Sequence, residues 1–235
     1  MRAARRLLIV LVVLLGLFVA ADRVAVNLAE GEVASRVQSS EGLSQKPSVS
    51  IAGFPFLTQL IGSKLDELTV KAGTLTVNGT STGLNSQLRL QNFTADLKGV
   101  AMSNNYSSAV ADTATGSALI SYQDLSAVLP NHPTVAYGGA PGKVKVAGTV
   151  DLPIVGAQQV SGTADVSVAS GGAISLTGLT GVSGVDPSVA GLVTSFLQPR
   201  FTLSGLPHGL SLQSVQSQPE GVSIAVSGTG VSLSN

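Results

Sequence analysis

The strongest hydrophobic pattern in the chain lies at its N-terminus. Three arginines within the first six residues precede Leu7–Ala21, a run of fifteen residues without a charge. A membrane-spanning helix needs about 20 apolar residues, whereas the core of a signal peptide is shorter and matches this run. Val19 and Ala21 are small enough for cleavage before Asp22. The run therefore indicates export of the chain that follows it.

The pattern leaves open whether this leader is removed. If the helix continues to Val24–Val26, the basic start would orient an uncleaved anchor with its N-terminus in the cytoplasm and the remainder outside. The sequence favours neither alternative. We expect residues 1–21 to be a signal peptide or an N-terminal membrane anchor. We expect residues 22–235 to form one exported domain, because no linker or shift in composition divides them.

Helical spacing continues directly after the leader. Between Asp22 and Gln38, apolar residues recur three and four positions apart, which is the spacing of one helix face. The predicted stripe consists of Ala25, Leu28, Ala29, Val33 and Val37. Gly42 follows and ends the region. The pattern predicts an amphipathic helix.

From Pro47 the hydrophobic period changes to two, the period of a strand with one buried face. Val49 and Ile51 begin this alternation. It continues through Leu68, Val70, Leu75, Val77, Leu84, Leu88, Leu90, Phe93, Ala95 and Leu97. Further strands are predicted at Val144–Val150, Val160–Val168, Ile174–Leu176, Phe201–Leu203, Leu210–Val215 and Val222–Val226. Short polar turns between such strands indicate an antiparallel meander rather than parallel βαβ units.

Two helices are predicted to interrupt the strands. Ser121–Leu129 carries apolar residues at helical spacing and stops before Pro130. In the second, Asp186 is a suitable N-cap and Pro187 a suitable first residue, while the glycine-rich segment Gly178–Gly184 before it is typical of a loop. The apolar face of this helix consists of Val189, Leu192, Val193, Phe196 and Leu197. The combined pattern predicts an α+β fold in which helices lie against one face of a long, curved antiparallel sheet.

Composition narrows the range of functions. The chain has no cysteine, which excludes a disulfide framework, a lipidated N-terminal cysteine and zinc–thiolate sites. Beyond the leader, ten basic residues stand against thirteen acidic ones and form no cluster. Tryptophan is absent as well. Nucleic-acid binding is therefore excluded, because it needs phosphate-neutralising charge and aromatic stacking platforms.

The sequence offers little catalytic chemistry. His132 and His208 each adjoin a proline, and no acid or nucleophile accompanies them at a recognisable spacing. Asp66 and Glu67 are adjacent, so on a strand they would point to opposite faces. The chain has no nucleophile elbow, zinc-protease motif or phosphate-binding loop. We therefore predict a protein without catalytic residues, metal ligands or a cofactor.

The most informative apolar segment surrounds Pro55. Phe54 and Phe56 bracket this proline, and three aliphatic residues follow within five positions. Proline removes a ladder hydrogen bond, so a strand must end, bulge or lie at an edge here. An apolar cluster at such a point either plugs the open end of the sheet or forms an exposed apolar rim. Packing alone favours the plug.

This segment resembles a known family. The pattern Pro47-x-Val49-x-Ile51-x-Gly53-Phe54-Pro55-Phe56-Leu57-x-Gln59, placed after a leader and an amphipathic helix, is similar to that of the LmeA-like phospholipid-binding proteins of the actinobacterial cell envelope. Three weaker similarities are the Pro187–Leu197 helix, the Leu206-Pro207-x-Gly209 turn and the Gly221-Val222-x-Ile224 strand. The resemblance covers Asp22 to Leu233, nearly the whole exported part.

The resemblance implies a one-module relative of tubular lipid-binding proteins. In such a fold a long, strongly curved antiparallel sheet wraps one or two helices, and lipid tails occupy the trough between them. The resemblance also implies phospholipid as the ligand, and a location in the periplasmic space or at the outer face of the plasma membrane. For one member it implies a part in lipoglycan maturation, which makes envelope glycosyltransferase machinery a candidate partner. It implies no catalytic residue, and the scarcity of basic residues departs from a preference for anionic headgroups.

Three segments supply the predicted lipid site: the segment around Pro55 at the mouth, the first helix, and the Pro187–Leu197 helix that closes the trough. The predicted lipid-binding residues are Phe54, Phe56, Leu57, Leu60, Ile61, Leu28, Val33, Val37, Val189, Leu192, Val193, Phe196 and Leu197. Burying an alkyl chain contributes about 0.8 kcal/mol per methylene, so such a trough needs no charged contact.

Two functions remain as hypotheses. The first is a lipid-binding or lipid-shuttling protein of the cell envelope. The alternative is a non-catalytic structural or scaffolding envelope protein with a dry core, which binds a partner protein or a wall polymer. An enzyme acting on lipid-linked glycans is the weakest hypothesis, because no acid–base pair is recognisable. An apolar cavity in the usual size range of ligand sites, about 300–1,000 Å³, would favour the first.

Overall fold

The computed structural model describes residues 2–81, 84–103, 108–129, 132–152, 156–170, 172–184, 200–203 and 208–233. Its helices are α1 Arg2–Ser40, α2 Phe56–Ile61 and α3 Tyr122–Val128. Its strands are β1 Ser48–Ala52, β2 Lys64–Ser81, β3 Leu84–Ser103, β4 Ser108–Ile120, β5 Thr134–Tyr137, β6 Lys143–Leu152, β7 Gly156–Ala169, β8 Ala173–Ser183, β9 Arg200–Leu203, β10 Leu210–Gln218 and β11 Gly221–Ser232. Every strand pair is antiparallel. The predicted α+β class is confirmed.

The described strands form one sheet that does not close on itself. Its order is β10-β11-β4-β3-β2-β9-β8-β7-β6-β5, and β1 pairs with the first half of β2. Two meanders, β2 to β4 and β5 to β9, agree with the predicted connectivity, and the end of β2 joins them by pairing with β9. The β10–β11 hairpin departs from a simple meander, because β11 returns to pair with β4.

Helix α1 is continuous across the predicted cleavage position. Large apolar side chains from Leu7 to Val19 are exposed, and by length and composition this helix is able to cross a membrane. At Asp22 the exposed fraction falls to 0%, and Val26 and Ala34 are buried as well. The first half of α1 is therefore apolar and exposed, and the second half packs on β1 and α2.

The inward face of α1 differs from the predicted stripe. At about 100° per residue, Val26, Val33 and Val37 lie within roughly 20° of one line, whereas Leu28 lies about 160° away. Leu28 is accordingly 70% exposed, and Val24 on the same outward face is 58% exposed. Leu28 thus belongs to the outward face, contrary to the predicted stripe, because the five residues between Leu28 and Val33 turn the helix by about 140°.

Chain direction changes at Pro55, as predicted. β1 ends at Ala52, the Phe54–Pro55 peptide bond is cis, and α2 begins at Phe56. The Phe56 side chain is 2% exposed within the core, whereas the Phe54 ring is 59% exposed. Each of the two predicted alternatives therefore holds for one phenylalanine. Phe56 fills the end of the sheet, and Phe54 belongs to an exposed apolar rim.

Helix α3 confirms the predicted helix at Ser121–Leu129. Ser121 is its N-cap, and the Ser121 hydroxyl accepts a hydrogen bond of 3.0 Å from the backbone N–H of Asp124. Leu125 and Val128 on the helix are buried. The other predicted helix, Pro187–Leu197, lies outside the described residues.

Three parts of the sheet were not expected from the sequence: β4, the short strand β5 and the end of β8. β4 is built mainly from Ala, Ser and Thr, whose alternation is weak because the small side chains contrast little in hydrophobicity. The predicted loop Gly178–Gly184 is wrong, since β8 continues to Ser183. Gly178 and Gly181 adopt φ angles of 61° and 62° there, and the pairing with β7 shifts register on both sides of Thr163. These glycines form bulges within a strand.

Two separate hydrophobic clusters hold the domain together. The proximal cluster joins α1, β1 and α2 to the sheet through Val26, Ile51, Phe56, Leu65, Leu97, Val100, Ala111, Ala114 and Val231. The distal cluster joins α3 to both halves of the sheet, and five of its least exposed members are Leu88, Ile120, Val144, Val146 and Val222. The names refer to the distance along the sheet from the apolar half of α1.

Candidate functional site

A cavity of about 710 Å³ lies where the second half of α1 crosses the sheet. Its wall combines residues from the end of α1, from β2, β3, β4 and β11, and from the start of β10. Part of the wall belongs to the proximal cluster and part to the distal cluster, so the cavity separates the two. The wall residues are Val33, Val37, Ser40, Glu41, Leu43, Leu68, Val70, Ala72, Leu75, Val77, Leu90, Phe93, Ala95, Leu97, Ala114, Thr115, Gly116, Ser117, Ala118, His208, Leu210, Ile224, Val226, Val231, Ser232 and Leu233.

The wall is mainly apolar, and its ionisable residues lie at its edges. Glu41 carries its one carboxylate and His208 its one imidazole within the described part of the chain. Both residues are exposed, so the cavity reaches the solvent at their positions. The deeper wall consists of Val, Leu, Ile, Ala and Phe side chains together with a few hydroxyl groups. Such a wall has no means of compensating a buried charge, but it suits hydrocarbon.

Strand alternation produces this wall, with one change of phase. On β2 the inward residues are Leu68, Val70 and Ala72, and then Leu75 and Val77. Inward residues have even numbers before Gly73 and odd numbers after it. The register places Gly73 opposite Asn92 of β3. There the backbone of Asn92 has a φ of 51°. Because both strands change phase at the same level, their apolar faces stay continuous along the cavity.

The structure distributes the predicted lipid-binding residues over three environments. Val33 and Val37 lie on the cavity wall. Phe56 lies in the proximal cluster, and Leu60 packs against that cluster. Leu57 is half-buried, and the exposed side chains are Leu28, Phe54 and Ile61. The remaining predicted residues, Val189, Leu192, Val193, Phe196 and Leu197, lie outside the described residues.

Most of the cavity wall comes from strand residues that the sequence prediction did not assign to the site. Leu68, Val70 and Ala95 all stand on predicted strands, and their alternation correctly gives their face. Alternation does not reveal whether that face meets another layer or a cavity. The phase change at Gly73 was a usable signal, because an isolated glycine within a strand often marks an irregularity.

The carboxylate of Asp22 joins α1 to α2 beside the proximal cluster. One carboxylate oxygen of Asp22 accepts a hydrogen bond of 2.9 Å from the backbone N–H of Leu57, and the other lies 2.6 Å from the guanidinium of Arg23. The Asp22 side chain is fully buried. Asp22 is therefore a buried carboxylate, and Arg23 also lies over the Phe54 ring at 5.2 Å.

A second carboxylate on α1 covers the free edge of β1. Glu30 accepts a hydrogen bond of 2.8 Å from the backbone N–H of Ile51. Ile51 is paired with Leu68 on its other side. Asp22 and Glu30 thus fix α1 at two heights, about 12 Å apart along the helix. This fixed position sets the side of the cavity that Val33 and Val37 form.

The described residues contain no group of three or more His, Asp or Glu side chains suited to hold a metal ion. Glu41 and His208 lie at the edges of the cavity, where they are open to solvent. The chemistry that the site supports by its geometry is the enclosure of an apolar ligand with a polar end near the surface.

Fold and cavity together define the class: an α+β protein whose antiparallel sheet and N-terminal helix enclose an apolar chamber. The chain belongs to the LmeA-like phospholipid-binding family, whose model matches residues 20–227. This match confirms the resemblance found in the sequence. Neither the curated proteins nor the solved structures contain a significant match to the chain.

Proposed function

We propose that the protein binds a phospholipid whose acyl chains occupy the cavity between the proximal and distal clusters. The observation that carries the proposal is the cavity itself, about 710 Å³ with a mainly apolar wall. This volume falls inside the usual range of ligand sites, about 300–1,000 Å³. Each methylene transferred from water into such a wall contributes about 0.8 kcal/mol. Acyl chains alone therefore supply ample affinity.

In this proposal the headgroup stays at the solvent-exposed edge of the cavity. Glu41 and His208 are the ionisable residues on the described wall, and neither forms a cluster of positive charge. The site therefore lacks the means to select strongly for an anionic headgroup. We infer that the acyl chains, rather than the headgroup, dominate recognition.

Strong curvature of the sheet is part of the same proposal. Strand β10 at one edge lies against β7 and β6 near the other edge. In addition, the Ser217 hydroxyl on β10 donates a hydrogen bond of 3.2 Å to the carbonyl of Ala140, just before β6. A flat sheet of this strand order would hold these elements far apart, so the contact supports a sheet that bends around its core.

The proposed location is outside the cytoplasm, in the periplasmic space or at the outer face of the plasma membrane. The basic start and the exposed apolar half of α1 support export. A phospholipid binder at that place would hold or shuttle lipid for envelope lipoglycan maturation, and it would hand lipid to membrane glycosyltransferases. The rival function, a scaffolding protein with a dry core, predicts that the cavity takes up no lipid.

Filling the cavity tests the proposal. Ala95 lies on the cavity wall, whereas Ala101 on the same strand is exposed. Ala95→Leu and Ala95→Phe should progressively displace lipid. Loss of two buried methylenes lowers affinity about tenfold, and Ala101→Phe should have no effect. The full chain is extracted in detergent, and co-purifying phospholipid is quantified by native mass spectrometry and lipid extraction.

A second readout follows uptake of phosphatidylcholine with a fluorescent acyl chain by the delipidated protein. Circular dichroism confirms that each variant is folded. If the wild-type protein carries no phospholipid and takes up no probe, the binding proposal is wrong and the scaffolding function is favoured.

A further inference from the structure

Exposed apolar side chains concentrate at one end of the domain. Outside α1, the large apolar side chains that are exposed in the described part of the chain are Phe54, Ile61, Val110 and Leu233. Ile61 and Phe54 are the most exposed, at 84% and 59%. On α1 itself, Val24 and Leu28 point outward beyond the leader. These six residues are called the proximal apolar surface below.

Backbone contacts place all of these residues at the end where α1 enters the domain. Asp22 holds α2, the helix that ends at Ile61. The residue before β2, Ser63, accepts a hydrogen bond from the N–H of Met102 near the end of β3. In β4, Val110 pairs with Ala101 of β3 and with Ser232 of β11. Leu233 follows directly, and its N–H donates to the carbonyl of Ala109.

The length of α1 identifies what covers this surface. Leu7–Ala21 extends only about 22 Å as a helix, whereas the hydrocarbon core of a bilayer is about 30 Å thick. The outward face of α1 stays apolar through Val24 to Leu28, and the distance from Leu7 to Leu28 is about 32 Å. A spanning α1 therefore matches the bilayer only if the first two turns after Asp22 also lie in the membrane.

Two ion pairs form within the protein at this level. Asp22 is buried and paired with Arg23, whose guanidinium lies over Phe54. Lys64 at the start of β2 is paired with Asp112 at 2.9 Å. An apolar surface flanked by ion pairs suits the boundary between headgroups and acyl chains, where amphipathic surfaces insert by about 5–10 Å.

We propose that the proximal apolar surface is seated in the outer leaflet of the membrane that α1 spans, so that the domain docks on the bilayer by Phe54, Ile61, Val24 and Leu28. The docking is separate from the cavity, although one exposed edge of the cavity wall lies at the same end. His208 and Leu233 form that edge, and the N–H of Ser232 between them donates to the His208 carbonyl. Lipid would enter the cavity there directly from the leaflet.

Single tryptophans test the docking, because the chain has no tryptophan of its own. Full-length Phe54→Trp and Ile61→Trp proteins are reconstituted into phosphatidylcholine vesicles that contain lipid brominated along the acyl chains. Thr76→Trp is the matched control: Thr76 is exposed on β2 and lies about 40 Å along the strand from Lys64. Bromine quenches only a tryptophan in contact with the acyl region.

We expect loss of most of the emission, together with a blue shift, for the tryptophans at positions 54 and 61, and no quenching at position 76. Quenching at 54 and 61 that does not exceed the control would overturn the proposal, and a protein partner or a second copy would then cover the surface. The phospholipid content of the same samples is measured in parallel. Lipid in the cavity without quenching rejects docking alone, and quenching with no lipid in the cavity rejects the proposed function alone.

Discussion

The carboxylate of Asp22 in α1 accepts a hydrogen bond of 2.9 Å from the backbone N–H of Leu57 in α2, 35 residues later in the sequence. Asp22 is the first residue after the exposed apolar half of α1, and Leu57 follows the plug residue Phe56. Together with the hydrogen bond from Ile51 to Glu30, this hydrogen bond connects α1 to the core of the domain. The direction of α1, and with it the cavity wall that Val33 and Val37 form, depends on this connection.

Removing the Asp22 acceptor should loosen that connection. Asp22→Ala leaves the N–H of Leu57 buried without a partner, which costs more than the bond itself contributes. We expect the Tm to fall by roughly 2–4 °C for each hydrogen bond lost in a domain of this size. Asp22→Asn retains an acceptor of the same shape and should lose less. Thermal unfolding followed by circular dichroism measures both. Equal Tm values for Asp22→Ala and the wild type would show that the Asp22–Leu57 hydrogen bond contributes nothing to stability.

Local patterns account for the parts of the fold that the sequence predicted correctly. The apolar run, the alternation from Val49 onward and the helix at Ser121–Leu129 each follow from short-range chemistry. β4 escaped prediction because alanine and threonine give little contrast between the two faces of a strand. The bulges at Gly178 and Gly181 resemble a loop in sequence, since glycine at positive φ suits both.

Long-range contacts account for most of what the sequence did not reveal about the site. The sequence indicates only that Asp22 follows a possible cleavage site. Its contact with Leu57 depends on the fold. Leu28 and Val33 lie about 140° apart on α1, and the position of β1 decides which of them faces inward. Val70 and Val144 stand on similarly alternating strands, although Val144 faces a packed core and Val70 faces a cavity.

That last contrast gives a matched pair of substitutions. Val144 is fully buried in the distal cluster, whereas Val70 lies on the cavity wall and is half-buried. Val144→Ala should destabilise the protein by about 2 kcal/mol, because it removes fully packed methyl groups. Val70→Ala should cost less than about half of that in delipidated protein, since the cavity side of Val70 has no protein atoms to lose. Thermal unfolding in one detergent gives both values. Equal losses would mean that the cavity is closed by packing in solution.

The continuity of α1 predicts that the leader is retained. Proteases cleave most readily in exposed, irregular segments, whereas Ala21 and Asp22 lie within a helix and the Asp22 side chain is held against α2. Protein extracted from membranes should therefore have the mass of the whole chain, about 23.6 kDa. Val24→Pro is a positive control, because proline within a helix breaks its hydrogen bonding at a cost of about 3 kcal/mol. That variant should expose the Ala21–Asp22 bond and yield a chain that starts at Asp22. A wild-type chain that already starts at Asp22 would show that the helix does not protect the bond, and that the domain is released from the membrane.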